Sequence, residues 1–275
     1  MNPPLSARRI AALALDHASP ALLPLAARLE LVQETGSTNA DLMARLPQLE
    51  TPVLRVAENQ IAGRGRAGRP WHSVPGAALM FSLAWKFQCN LAGLVGLPLA
   101  VGVAVADTLA RFGLQARLKW PNDILLDGDK LAGVLIETAT TGNGPGRAVW
   151  AVIGIGINVA LPDTLRAQIG RPVAHLAQSI DRDALMAALW QSLETLLGAF
   201  EQHGFALSMA RWNQLDAYAG QNVTIIDQGQ VIHQGRNAGV DDIGRLRLDV
   251  DDGERRGTQV LVVAGDVSLR ATREA

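Results

Sequence analysis

The sequence predicts an α+β chain in unequal parts, a large domain of interleaved strands and helices followed by a small all-β domain. Three observations predict it. Up to residue 219, short runs of two-residue alternation interleave with longer runs of helical period. Beyond Gly220 the texture changes to short apolar runs between turn residues, at 223–226, 231–233, 246–250, 260–262 and 267–269, the pattern of a separate small β barrel. A length of 275 residues and a mass of 29.2 kDa suffice for one large domain with a small companion. The expected division is 1–30, 31–219 and 220–275.

Residues 1–30 carry a modest helical pattern at Ile10-Ala11-Ala12-Leu13-Ala14-Leu15 and a second apolar piece over 22–29, with no chemistry-bearing side chains. From Glu34 to Leu42 the chain reads as the start of a helix, with a serine or threonine capping the first turn and Asp41 suiting its positive end. Residues 53–58 alternate as a strand, with Gln60 just beyond it, and 77–86 form a strand apolar on both faces, hence well buried. Residues 87–106 contain no charge, which raises a membrane span. Gln88, Asn90 and Pro98 interrupt the run, and Asp107 and Arg111 continue it in helical phase, so 91–112 reads as a buried central helix broken near Pro98.

Residues 116–120 form a strand that ends at the turn Pro121-Asn122-Asp123. Residues 124–126 and 130–138 form a hairpin across Asp127-Gly128-Asp129, and 149–159 a strand whose Gly154 and Gly156 leave room for another backbone or a ligand. The clearest amphipathic helix runs over 181–202, with Asp181 as cap and Leu185, Leu189, Leu193, Leu196, Leu197 and Phe200 on one face; core packing explains it fully. A further helix through Arg211, Trp212 and Leu215 ends near Gly220.

The densest chemistry lies in Gly63-Arg64-Gly65-Arg66-Ala67-Gly68-Arg69-Pro70-Trp71. Glycines let backbone N–H groups approach a ligand, and arginine forks match carboxylate or phosphate oxygens, so the stretch reads as an anion cradle. Gly63, Gly65 and Gly68 satisfy the dinucleotide pattern literally, but no helix follows, and Gln88 stands where that site needs an acid. Arg69-Pro70 replaces the lysine and hydroxyl of a Walker loop. The remaining alternative is a solvated arginine hairpin that binds nothing; the entropic cost of three glycines weighs against it.

Taken with Lys119-Trp120-Pro121-Asn122-Asp123, Lys130-Leu131-Ala132-Gly133-Val134-Leu135-Ile136-Glu137 and Gly154-Ile155-Gly156-Ile157-Asn158, this stretch resembles the biotin protein ligases of bacteria, in order from about Ser37 to Arg270. The resemblance implies a mixed β-sheet catalytic domain packed with helices, as in class II synthetases, then an SH3-like β domain. It implies two substrates, biotin and ATP, with Mg2+. The products are biotinyl-adenylate and then a biotinylated lysine on the biotin carboxyl carrier protein of acetyl-CoA carboxylase. Relatives that repress transcription carry an amino-terminal DNA-binding domain that about 30 residues cannot hold, so no nucleic-acid partner is expected.

By that resemblance Ser37, Thr38, Asn39 and Gln60 contact the ureido ring, and Gly63, Arg64, Gly65, Arg66, Trp71, Lys130, Gly133, Gly154 and Gly156 complete the biotin site. ATP falls to Arg66, Arg69, Trp71, Lys119, Asn122, Lys130, Asn158 and Arg270. Arg64, Arg66 and Lys130 offset the repulsion between carboxylate and phosphate, backbone N–H groups around Gly65 add donors, and Asp123 orients or deprotonates the incoming amine. No metal ligand is assigned. Plainer readings stand beside these: Ser37 or Thr38 as a cap, Lys130 as a strand-edge lysine, Trp71 and Trp120 as core.

The rest of the sequence limits the rivals. A net charge of −1 confines any basic site to one locality and counts against an RNA-binding module. A lipoate-attaching ligase shares fold and chemistry, but its acyl group gives Ser37-Thr38-Asn39 and Gln60 no purpose; a purely structural β-rich oligomer needs none of the motifs. Cys89 is the single cysteine and the start lacks a secretory pattern, so a cytoplasmic location is expected. An exposed strand edge offers a seat to a second copy, giving a homodimer, or to the acceptor.

Overall fold

The computed structural model describes residues 2–15, 28–142, 148–176, 180–227, 229–250, 257–264 and 268–271. Seven strands form the main sheet: β1 (Leu29–Thr35), β2 (Val53–Gln60), β3 (Ala78–Phe87), β4 (Arg117–Lys119), β5 (Asp123–Leu126), β6 (Asp129–Thr141) and β7 (Ala148–Asn158). Their order is β1-β2-β3-β7-β6-β5-β4; β1 and β2 are parallel and every other pair is antiparallel, so the sheet is mixed. The strand β1 is an addition to the sequence reading, which assigned Glu34 and Thr35 to a helix start and left Leu29 in an apolar piece. Its three apolar positions, Leu29, Leu31 and Val32, do not keep a two-residue alternation among the acids and amides.

Two-residue alternation sorts β7 into two layers. Val149, Ala151, Ile153, Ile155 and Ile157 join the large core, against the layer formed by α1 (Ala7–Leu15), α3 (Leu97–Arg111) and α5 (Arg182–His203). Trp150 and Val152 face the other way, packing with Leu42 and Leu46 at α2 (Thr38–Arg45). Gly154, Gly156 and Asn158 continue that second face, and there the sheet opens into a cavity.

The uncharged run divides as physics requires of a chain with Gly96 and Pro98. A short 3-10 turn covers Leu91–Leu94, Gly96 takes φ 82°, and α3 begins at Leu97 with Pro98 in its first turn. The break therefore lies before Pro98. By length and composition Leu91–Arg111 is apolar enough to span a membrane, but Leu97, Ala100, Val101, Val105 and Leu109 are buried in the core. Asp181 caps α5, accepting from the Asp183 and Ala184 N–H groups. The next helix, α6 (Ala206–Leu215), stops earlier than Gly220, and α4 (Asp163–Ile169) ends at Gly170, φ 64°.

The amino-terminal segment is bound into the fold rather than appended to it. Ile10, Ala11 and Ala14 are buried, and Arg182, itself buried, pairs with Glu58 at 2.9 Å and donates to the Pro3 carbonyl. Glu58 also accepts from the Leu5 N–H. The second apolar piece, apart from Arg28 and Leu29, lies outside the described residues.

Five strands, β8 (Asn222–Asp227), β9 (Gln230–Val240), β10 (Leu246–Val250), β11 (Gln259–Val262) and β12 (Ser268–Ala271), make the antiparallel carboxy-terminal sheet, in the order β11-β10-β9-β8-β12. Val267, expected to open the last strand, lies outside the described residues. Val223, Ile225, Leu246, Leu248 and Leu269 belong to the same apolar cluster as the main sheet, so this β sheet packs directly on the larger part. Trp120, 1% exposed, donates from Nε1 to the Gly244 carbonyl at 3.2 Å across the junction. Of its two open readings, core is the one its burial favours.

Candidate functional site

A cavity of about 1260 Å³ opens on the α2 side of the main sheet, large enough for two ligands end to end. Its described lining includes Ser37, Thr38, Asn39, Gln60, Arg64, Gly65, Arg66, Arg69, Trp71, Lys119, Asn122, Asp123, Lys130, Gly133, Gly154, Gly156, Asn158 and Arg270. Sequence positions more than two hundred residues apart thus converge. Gly63 does not line it: this glycine is buried, and a Cβ there would lie 2.9 Å from the Trp71 carbonyl oxygen.

One end of the cavity is a polar network rooted in the start of α2. Ser37 is the N-cap, its Oγ accepting from the Ala40 N–H at 3.4 Å. Gln60 Oε1 accepts from the Thr38 N–H at 2.7 Å. Ser82 Oγ donates to Asn39 Oδ1 at 2.5 Å, so its single proton is spent and it accepts from Thr38 Oγ1 at 2.7 Å. Asn39 Nδ2 donates to Glu137 Oε2 at 2.8 Å and to the Leu135 carbonyl at 3.4 Å. Neither Ser82 nor Glu137 was among the expected site residues. Glu137 stands in the Lys130–Glu137 motif, but only the register of β6 beside β7 turns it toward Asn39.

The floor is made of glycine. Gly133 and Gly156 are cross-strand partners on β6 and β7, and Gly154 pairs with Ser82 on one side and Leu135 on the other. A Cβ on Gly154 would lie 2.2 Å from Asn39 Oδ1, on Gly156 2.6 Å from the Trp71 ring, and on Gly133 3.1 Å from Lys130 Nζ. The room beside Gly154 and Gly156 admits the protein's own Asn39 and Trp71, which those glycines seat, and both glycines also line the cavity. Trp71 is the apolar wall, and its buried Nε1 has no hydrogen-bond partner.

The cradle itself differs from the expected array of open donors. The Gly65 N–H donates to the Arg69 carbonyl at 2.7 Å and the Trp71 N–H to the Gly63 carbonyl at 2.9 Å, so the loop is stitched to itself. Left-handed backbone falls at Ala67, φ 53°, and Gly68, φ 67°, not at Gly63 or Gly65. The side chains of Arg64, Arg66 and Arg69 line the cavity. Arg66 Nη1 donates to Asn122 Oδ1 at 3.0 Å, docking the loop on the turn after β4. Half-exposed Arg64 lies 3.8 Å from Glu137.

The other end is cationic, with Lys119, Lys130, Arg171 and Arg270 on the lining and Asp123 as the one carboxylate among the described lining residues. Lys130 Nζ donates to Asp123 Oδ1. Burial, opposed by Asp123 and reinforced by Lys130, Arg270 and Arg171, holds the Lys119 ammonium below its usual pKa. Lys119 Nζ also sits 5.9 Å from the ring centre of Tyr218. Asn158 spends its amide on the Ala174 carbonyl at 3.0 Å and the Lys130 carbonyl, which stitches residues 171–176 to the sheet and delivers Arg171 and Val173 to the lining. Arg171 and Tyr218 escaped the sequence reading. An arginine between Gly170 and Pro172 has no periodic neighbourhood, and the only hint at Tyr218 is that it is the chain's single tyrosine.

Residues 30–158 match the biotin/lipoate A/B protein ligase family, and 218–270 match the biotin protein ligase C terminal domain. The bifunctional ligase/repressor BirA of Escherichia coli K12 is 35% identical over 265 residues, 94% of this chain and 77% of that protein. The chain belongs to the biotin protein ligase family. The biotin--[acetyl-CoA-carboxylase] ligase of Mycobacterium tuberculosis is 33% identical over 249 residues, 87% of this chain and 88% of that ligase. Among solved structures, the Aquifex aeolicus biotin protein ligase in complex with biotin and ATP aligns with TM-score 0.69 at 25% identity, over 89% of this chain and 99% of its own.

Proposed function

We propose that this chain joins biotin to ATP, forming biotinyl-5'-AMP and pyrophosphate, and then passes the biotinyl group to a lysine of the biotin carboxyl carrier protein of acetyl-CoA carboxylase. The observation that carries this reading is the meeting, in one cavity, of a neutral donor-and-acceptor network and a cationic end. Family membership supports the same reaction.

The polar end suits a cyclic urea. Ser37 Oγ already accepts and has its proton left to donate; Gln60 Oε1 is held, leaving Nε2; both Asn39 N–H groups are committed, leaving Oδ1. Two donors therefore await a carbonyl, and one acceptor awaits an N–H. A carboxylate and a phosphate brought about 4 Å apart repel by about 4 kcal/mol per charge pair at an effective dielectric of about 20. Arg64, Arg66, Arg69 and Lys130 are assigned to offset that, with Lys119, Asn122 and Arg270 on the nucleotide and Asn158 holding the segment that bears Arg171. Lys130 starts paired with Asp123, so engaging substrate oxygens frees the carboxylate.

That exchange suits the second step. A free lysine has a pKa of about 10.4, so presenting a neutral amine at pH 7 costs about 4.6 kcal/mol. Asp123, released from Lys130, is assigned to orient the amine and take its proton. Trp71 shields the mixed anhydride from water. Magnesium would arrive with the triphosphate: no cluster of three or more His, Cys, Asp or Glu occurs among the described residues, so phosphate oxygens and water would hold it. When bound it neutralises phosphate charge.

Biotin-dependent exchange of labelled pyrophosphate into ATP tests the first step, and transfer from preformed biotinyl-5'-AMP to the carrier domain tests the second. Exchange that ignores biotin would overturn the reading.

A further inference from the structure

We propose that Glu137 is a positioning residue that fixes which end of the Asn39 carboxamide faces the ligand, and so sets the cavity's preference for a ring N–H. Resting on the reading of this cavity as a biotin site, the assignment adds a residue that touches no substrate.

The reasoning starts from a carboxamide's symmetry of shape. Its oxygen and nitrogen ends are nearly the same size, so packing alone hardly distinguishes an acceptor facing the ligand from a donor facing it. Only charge and hydrogen bonding can choose. Around Asn39, which is 4% exposed, the choice is made at the nitrogen end. Glu137 Oε2 at 2.8 Å and the Leu135 carbonyl at 3.4 Å accept from Nδ2, and Ser82 Oγ donates to Oδ1. Turning the amide over would face its oxygen with a carboxylate and a carbonyl; the Ser82 hydroxyl can donate or accept, so the penalty falls on the Glu137 side. An ionised acceptor gives the stronger bond, so among these partners Glu137 contributes the larger bias.

Once the amide is locked, Oδ1 is the only group on Asn39 with hydrogen-bonding capacity left, and it sits over Gly154 on the cavity floor. A ligand N–H is matched there; a ligand carbonyl or an N-methyl group is not. Glu137 itself is not on the cavity lining. It acts through Asn39.

The test compares Glu137→Gln with Glu137→Met, two substitutions of similar size, of which only Gln retains an oxygen that can accept from Asn39 Nδ2. Affinity for biotin is measured by calorimetry, alongside KM for ATP and affinity for biotin methylated on a ureido nitrogen. Glu137→Met is expected to weaken biotin at least tenfold while KM for ATP moves less than twofold. Its preference for biotin over the methylated analogue should narrow by a similar factor. Glu137→Gln is expected to stay within about threefold of the unaltered chain in affinity and to keep the preference. If both variants bind biotin equally well, or if Met weakens biotin and ATP alike, Glu137 has no such role. Failure of the unaltered chain to bind biotin would instead overturn the functional reading.

Discussion

Lys130 and Asp123 face each other across the β5–β6 hairpin as an ion pair, each side chain about one-fifth exposed, with the ammonium seated over Gly133. A cation restrained in this way on the lining of a cavity proposed to bind anions is expected to contribute to binding and chemistry more than to folding. Surface and half-buried pairs contribute about 0–1 kcal/mol to stability, whereas removing a charge-stabilising donor costs about a hundredfold or more in rate. Lys130→Ala should therefore lower pyrophosphate exchange at least a hundredfold and shift the melting temperature by only a few degrees. Parallel exchange assays and thermal scans check this, and retained exchange would remove Lys130 from the anion site.

Lys119 gives a pH dependence with a definite sign. Its pKa is depressed in the folded state, chiefly by burial. The cost of holding it charged is fully present below that depressed pKa and is relieved as pH climbs from there toward the ordinary value of 10.5, because the unfolded chain then keeps a proton the folded chain has lost. Its effect on nucleotide binding runs the other way. Apparent affinity for ATP should fall as pH rises through the depressed pKa, and Lys119→Arg should flatten that limb. Identical profiles for the two proteins would exclude Lys119 from the nucleotide.

The glycine floor makes its own expectation. A methyl at Gly154 would lie 2.2 Å from Asn39 Oδ1, too close to be absorbed without displacing Asn39. Overpacking of this kind costs about 1–3 kcal/mol. Gly154→Ala should lower the melting temperature and raise KM for biotin at least tenfold, leaving KM for ATP within a fewfold. Equal rises in the two KM values would mean that the floor does not belong to one ligand's end.

The pair Arg182–Glu58 is 3% and 6% exposed, and with the Pro3 and Ala78 carbonyls and the Leu5 N–H it joins the amino-terminal segment, β2, β3 and α5. Breaking such a pair strands a buried charge. Arg182→Met should cost about 3–5 kcal/mol in urea unfolding, and adding Glu58→Gln should restore part of it. A double variant no more stable than the single one would show that the geometry of Arg182, rather than charge pairing, is what matters.

Much of the site was legible because its motifs are local. Gly63–Trp71, the turn at 120–123 and the strand through Gly154 and Gly156 each announce a backbone or charge requirement within a few residues, and all of them reach the cavity or its rim. Residues whose purpose depends on a neighbour far away were not legible. Ser82 reads as one polar residue in an apolar strand, and Glu137 as the end of a motif. Arg171 and Tyr218 sit in connecting segments without periodicity.

Sequence alone settled the composition of the two parts, the positions of most strands and helices, and the family, since periodicity, turn chemistry and motif spacing are properties of contiguous residues. Tertiary structure decided the rest: that β1 joins the sheet edge, that apolar residues of the carboxy-terminal sheet join the main sheet's cluster, that the cradle's Gly65 N–H is spent within its own loop, and that the glycines of β7 seat Asn39 and Trp71. Each of these depends on which distant atom occupies the adjacent few ångströms. Strand register and close packing set that proximity, and neither is a property of any short stretch of chain.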